Sequence, residues 1–149
     1  MKDLANNIKM VQSLAPAVVS SDTNGSGVDL LGFESASIVV DTGAEGVTLS
    51  SSVKIDFKLE ESDDDSTYTA VTSNDSVSDG AVDSNGIFLT LDDNAESPQI
   101  MTIGYLGSKR YIRVVADLTG SHSTGTAMSA SVILSHARHS SDASSNSDR

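Results

Sequence analysis

The stretch Gln99–Asp117, Q-I-M-T-I-G-Y-L-G-S-K-R-Y-I-R-V-V-A-D, decides the fold. From Tyr111 onward its side chains alternate. Ile112, Val114, Ala116 and Leu118 fall on one side, and Tyr111, Arg113, Val115 and Asp117 on the other. A period of two, with β-branched residues on the apolar side, marks a strand with one buried face. Gly104 and Gly107 flank Tyr105, so a bend or a close backbone approach is expected just before that strand. The whole unit reads as a central strand of a β-sandwich.

Working outward, Val53–Glu60 (V-K-I-D-F-K-L-E) shows the cleanest alternation in the chain. Val53, Ile55, Phe57 and Leu59 point inward, while Lys54, Asp56, Lys58 and Glu60 point to water, as in an antiparallel sheet with one dry face. Ser35–Asp41, Tyr68–Val71, Ile87–Leu91 and Thr126–Leu134 read as further strands. Turn clusters separate them: S-S-D-T-N-G-S-G from Ser20, the glycine-rich Thr42–Gly46, the acidic Glu61–Thr67, Asn85-Gly86, and G-S-H-S-T-G from Gly120. No long helical pattern interrupts the series. The expected fold is all-β, an antiparallel β-sandwich of jelly-roll or immunoglobulin-like type. Its core is expected to include Ile38, Val40, Ile55, Phe57, Leu59, Leu89, Ile112, Val114 and Ile133.

The ends read differently. Leu4, Ile8 and Val11 are spaced as on a short helical face that Pro16 would stop. The alternative is an extended arm, preferred because one short helix is marginal in water. On that reading Leu4, Ile8, Met10, Val11, Leu14, Val18 and Val19 have no strand partner of their own, and they cross to another subunit or a capsid. Residues 136–149 have no periodicity and little bulk, and are expected to form a mobile tail. The chain thus divides into an N-terminal arm and turn (1–27), a sandwich (28–135) and a tail (136–149).

Charge and composition exclude several functions. The formal net charge is −12, from 21 acidic and 9 basic residues, so the general field opposes nucleic acid and anionic lipid. No run approaches the roughly 18 apolar residues of a membrane span, and neither a nucleic-acid nor a membrane partner is expected. There is no cysteine, hence no disulfide and no thiolate metal site. No G-x-S-x-G elbow occurs. The acidic run Glu60, Glu61, Asp63, Asp64, Asp65 offers oxygens to calcium but lacks the order and distal Glu of an EF-hand loop. His136 and His139 lie three apart, outside any helix that would align them. No catalytic residue, cofactor or metal is therefore expected, and the protein reads as no enzyme. Lys109, Arg110 and Arg113 form the one basic cluster. It either meets a phosphate or a neighbour's carboxylates, or its Lys109 and Arg113 pair with the acidic strand Val53–Glu60 across the sheet.

Two resemblances follow from these segments. Phe57–Val71 (F-K-L-E-E-S-D-D-D-S-T-Y-T-A-V), followed by the R-Y-x-R-V pattern at Arg110–Val114, resembles the strand–acidic turn–strand hairpin of discoidin-like jelly rolls. It departs from them at Asp65, where glycine is usual, and at Tyr68, where tryptophan is. The fuller resemblance is to small acidic structural proteins of tailed bacteriophages. Ser13–Gly43, Phe57–Val71 and Ile103–Val114 (I-G-Y-L-G-S-K-R-Y-I-R-V) match their recurring segments. It implies a virion component made in the host cytoplasm, foremost a head decoration (cement) protein that binds the major capsid protein or other virion proteins. A homo-oligomer, a trimer in particular, is implied by the same resemblance. The partner-contacting residues would be Leu4, Ile8, Val11, Leu14 and Val18 of the arm, together with Lys109, Arg110 and Arg113. A neck, tail or fibre-base component is the alternative within the class, and a carbohydrate- or calcium-binding jelly-roll module the alternative outside it.

Overall fold

Strands with one apolar face must bury it against a second layer, and here that layer is another sheet. The computed structural model describes residues 3–73, 76–78 and 82–139. Its strands, in chain order, are β1 (Ile8–Val19), β2 (Thr23–Asn24), β3 (Val28–Asp29), β4 (Phe33–Thr42), β5 (Lys54–Ser62), β6 (Thr69–Ala70), β7 (Val77–Ser78), β8 (Ile87–Leu91), β9 (Gln99–Tyr105), β10 (Tyr111–Thr119) and β11 (Thr126–Ala137). The five-stranded sheet has the order β1-β11-β4-β9-β7. The six-stranded sheet runs β2-β10-β5-β6, with β3 alongside β10 and β8 alongside β5. Every pairing is antiparallel. The protein is an all-β sandwich of two antiparallel sheets.

The core lies between them. Phe57, Ile38, Ile55, Leu59, Leu91, Ile103, Ile112 and Leu134 are its largest wholly buried side chains. Of the expected core, Ile38, Val40, Ile55, Phe57, Leu59, Ile112 and Val114 are buried. Leu89 is only partly buried, and Phe88 and Leu91 carry the burial in β8, where a register shift opposite Phe57 and Lys58 breaks simple alternation. Ile133 faces outward. In β11 the buried residues are Thr126, Met128, Ala130, Val132 and Leu134, so the strand sits in the opposite phase to the one expected.

The unit Gln99–Leu118 is two strands rather than one. β9 lies in the five-stranded sheet and β10 in the six-stranded sheet, and the segment between Tyr105 and Tyr111 crosses from one to the other. β10 is central as expected, paired with β5 from Tyr111↔Ser62 to Thr119↔Lys54 on one side and with β2 and β3 on the other.

The N-terminal segment overturns its reading as an arm. β1 pairs with β11 of its own sandwich from Ile8↔Ser135 to Val19↔Thr126. Register shifts between Gln12 and Leu14 and between Leu14 and Ala17 accommodate Pro16, which an edge strand tolerates because its N–H is not required by the ladder. Leu14 is buried in the core. Ser13, also buried, ties β1 to the opposite sheet. Its Oγ accepts from the Val114 N–H (2.9 Å) and donates to the Ser26 carbonyl (3.0 Å), and its own carbonyl accepts from the Ser26 N–H (2.8 Å). Gly25 N–H donates to the Val114 carbonyl at 2.8 Å in the same knot. A Cβ on Gly25 would overlap Ser13 Oγ and the Val114 carbonyl, so this close approach requires glycine. The sandwich therefore starts at β1, well before the expected boundary at residue 28, and β11 ends at Ala137. The expected mobile tail falls, for residues 140–149, outside the described residues.

Candidate functional site

The basic cluster is consumed inside the molecule. Arg113 lies in register with Glu60 across β10 and β5, bonds its carboxylate at 2.7 Å, and stacks over the Tyr68 ring at 4.1 Å. Arg110 grips Asp29 with two guanidinium nitrogens, at 2.7 and 3.0 Å, a bidentate fork that lowers the Asp29 carboxyl below its usual range. Lys109 reaches Asp63 at 2.5 Å. Nearby, Lys58 pairs with Asp117, and Lys54 with the buried Asp56 at 2.7 Å, which also accepts from Thr90 Oγ1 at 2.5 Å. Only Arg113 takes its partner from the expected strand. Arg110 and Lys109 take theirs from loops and short elements whose approach depends on the tertiary fold.

The acidic run is used the same way. Glu60 holds Arg113, Asp63 holds Lys109, and Glu61 accepts from Tyr105 OH at 2.5 Å, a bond between the two sheets. Burial and the neighbouring Glu61 carboxylate push the Tyr105 phenol well above its ordinary value. Asp64 accepts from the N–H groups of Thr67 (2.8 Å) and Ser66 (2.9 Å), which hold its carboxyl well below the usual carboxylate range. Asp65, in the left-handed region at φ 60, accepts from Tyr68 OH. Asp64 and Asp65 thus build the turn they occupy. Among the described residues no three metal-ligating side chains converge. His136, also left-handed at φ 54, sits 2.9 Å from Ser35 Oγ, while His122 is buried in the Gly120–Gly125 turn with Nε2 donating to the Thr119 carbonyl at 3.0 Å.

The residues expected to meet a partner from the N-terminal segment separate into two groups. Leu14 belongs to the core, and Val11 packs against it. Ile8 is half-buried, whereas Leu4 and Val18 are 63% and 67% exposed. The register places these outward residues in a single surface, the outer face of the five-stranded sheet. Met10 lies opposite Ile133, which lies opposite Ser37, which lies opposite Gly104. The next row is Gln12, Ser131, Val39 and Thr102; beyond it come Ser129, Asp41 and Ile100, and Val18 opposite Ala127. Asp41 is the one charged residue in these rows. At the end nearest Ile8, a groove of about 770 Å³ opens over Leu4, Ile8, Ser35, Ser37, Ile133 and Leu106. Among the described residues the exposed large hydrophobic side chains are Leu4, Met10, Val18, Leu31, Ile100 and Leu106, and all of these but Leu31 lie on this face or line its groove. No single segment reveals the face, because it is assembled from β1, β11, β4 and β9, which are not neighbours in sequence.

Comparison with protein-family models finds none that matches the chain, and no curated protein matches it.

Proposed function

We propose that the protein is a non-enzymatic structural component of a tailed-phage virion, made in the host cytoplasm and mounted on the head as a decoration (cement) protein. The observation that carries this reading is the outer face of the five-stranded sheet, sparse in charge and bearing Met10, Val18, Val39, Ile100 and Ile133 among hydroxyls, on a chain of net charge −12. Exposed apolar side chains gathered on one face mark an association surface, and charge is depleted from the centres of such surfaces. The resemblance of Ser13–Gly43, Phe57–Val71 and Ile103–Val114 to phage structural proteins supplies the kind of assembly. Repetition over a lattice then lets modest contacts add up to firm attachment.

The test is co-sedimentation of the purified chain with capsids and, separately, with tails of the phage that encodes it. Binding to capsids supports decoration. Binding to tails alone moves the protein to the neck or tail, and binding to neither ends the reading. One observation favours a carbohydrate-binding module instead: amides and hydroxyls of Asn6, Asn7, Ser35, Ser37 and Ser135 line the groove. A rise in melting temperature with soluble sugars would support that alternative.

A further inference from the structure

We propose that the outer face of the five-stranded sheet is occupied by a second copy of this chain, in a two-fold pair packed face to face. The inference rests on reading that face as an association surface and does not depend on the virion assignment.

Charge selects the occupant. Two molecules of net charge −12 repel, and apposed like charges are unfavourable at close contact. A basic partner would be drawn to the carboxylates elsewhere on the surface and would gain little from an uncharged sheet. An identical acidic partner can approach closely only where charge is missing. The rows Met10–Ile133–Ser37–Gly104 and Gln12–Ser131–Val39–Thr102 contain no charged residue; the acidic groups lie at the ends, Asp41 in the next row and Glu34, 3.7 Å from Arg138, beside the groove.

Size and shape agree. Four long strands at about 4.8 Å spacing, each contributing roughly eight residues at about 3.4 Å rise, give a face of about 500 Å² in projection. Two such faces reach the roughly 1,000 Å² that a specific interface needs. The face is also complementary to itself. The groove over Leu4, Ile8 and Leu106 lies at one end of the strands, and Val18 and Ile100, 67% and 68% exposed, project at the other. A two-fold axis lying in the plane of contact and running across the strands exchanges these ends. Val18 of one copy then meets Leu4 and Ile8 of the other, and Ile100 meets Leu106, each contact made twice.

The experiment is the mass of the full chain in solution, without capsids, over a wide range of concentration. The expected result is twice the monomer mass, with association tightening as salt screens the overall repulsion. Ile133→Glu and Ile100→Glu, both at outward positions, should give folded monomers by circular dichroism, while Lys58→Glu on the other sheet should leave the mass unchanged. The chain has no cysteine, so a Leu4→Cys, Val18→Cys double variant offers only these two thiols. They lie at opposite ends of the sheet within one chain, and oxidation should yield a covalent dimer. A monomer at every concentration, a mass of three chains, a dimer indifferent to both glutamates, or no cross-link would each overturn the proposal. A monomer that still binds capsids, and loses them on Ile133→Glu, would overturn the pair while upholding the face as a virion contact. A dimer that binds neither capsids nor tails would do the reverse.

Discussion

On the six-stranded sheet, Lys54, Lys58 and Glu60 each hold an oppositely charged neighbour, and Arg113 adds an aromatic ring beneath its guanidinium. On the five-stranded sheet the corresponding outward positions are Ser35, Ser37, Val39, Ser129, Ser131 and Ile133, with Asp41 the single charge. Both faces cover the same core. The first is designed by its charges to stay in water, since stripping the solvent from several ion pairs is expensive and their geometry already satisfies them. The second can give up its water easily, because hydroxyls and methyl groups lose little on contact with a similar surface. Net charge describes the molecule as a whole and conceals this division.

The largest effect comes from removing what the faces share. Phe57→Ala at a wholly buried position should destabilise the protein by about 3–5 kcal/mol, read as a fall in the denaturation midpoint. An unchanged midpoint would mean that β5 does not present Phe57 to the opposite sheet.

A smaller break separates the two sheets at one edge. Ser13→Ala deprives the Val114 N–H of its acceptor and the Ser26 carbonyl of a donor, and should cost about 1–3 kcal/mol. Hydrogen exchange should then quicken at Val114, while the β4–β9 amides stay protected.

The charged face should prove the less consequential of the two. Replacing Arg113 and Glu60 together by alanine should change stability by about 0.2–1 kcal/mol, because the pair is partly solvated, and added salt should narrow even that difference. A double-mutant cycle measures the coupling.

The smallest effect appears only in acid. The Asp64 carboxyl is held below its ordinary value of 3.8 when folded, chiefly by the Thr67 and Ser66 N–H groups. Its contribution is therefore complete above the unfolded value and is lost as pH falls below it toward the folded one. Asp64→Asn should lower the melting temperature at neutral pH, and the gap from the wild type should close below about pH 4. A gap that persists in acid would assign Asp64 a role other than accepting these bonds as a carboxylate.

How far all this could be read from sequence depended on how regular each strand is. The sequences of β5 and β10 alternate, and Ile55, Phe57, Leu59, Ile112, Val114 and Ala116 were legible as inward from pattern alone, whereas Asp56, expected in water, is buried under its bonds to Lys54 and Thr90. β11 was found, but its phase was not: V-I-L presents three apolar residues in a row, and the better guide was the serines at 129, 131 and 135, which share the outward side with Ile133. β1 escaped because two register shifts and Pro16 break its period, and because its partner lies at the far end of the chain. Among the candidate site residues, the Arg113–Glu60 pair follows from strand pairing, whereas Arg110–Asp29 depends on β3 lying beside β10. The uncharged face depends on strand order, which no local pattern encodes.

That partnership between β1 and β11 has a temporal side. During synthesis Ile8 must wait for Ser135, and until Thr126–Ala137 has been made both β1 and β4 expose a bare edge on which another nascent chain could build. The five-stranded sheet is therefore completed late and through long-range closure, which places the molecule among slowly folding topologies. The same adjacency brings Ile8 and Ser135 side by side, so a short linker from Ala137 to Ile8, with new termini opened in the exposed turn at Ser84-Asn85, would make β11 and β1 consecutive. Such a permuted chain would form its final pairing as a local hairpin and should reach the same sandwich sooner.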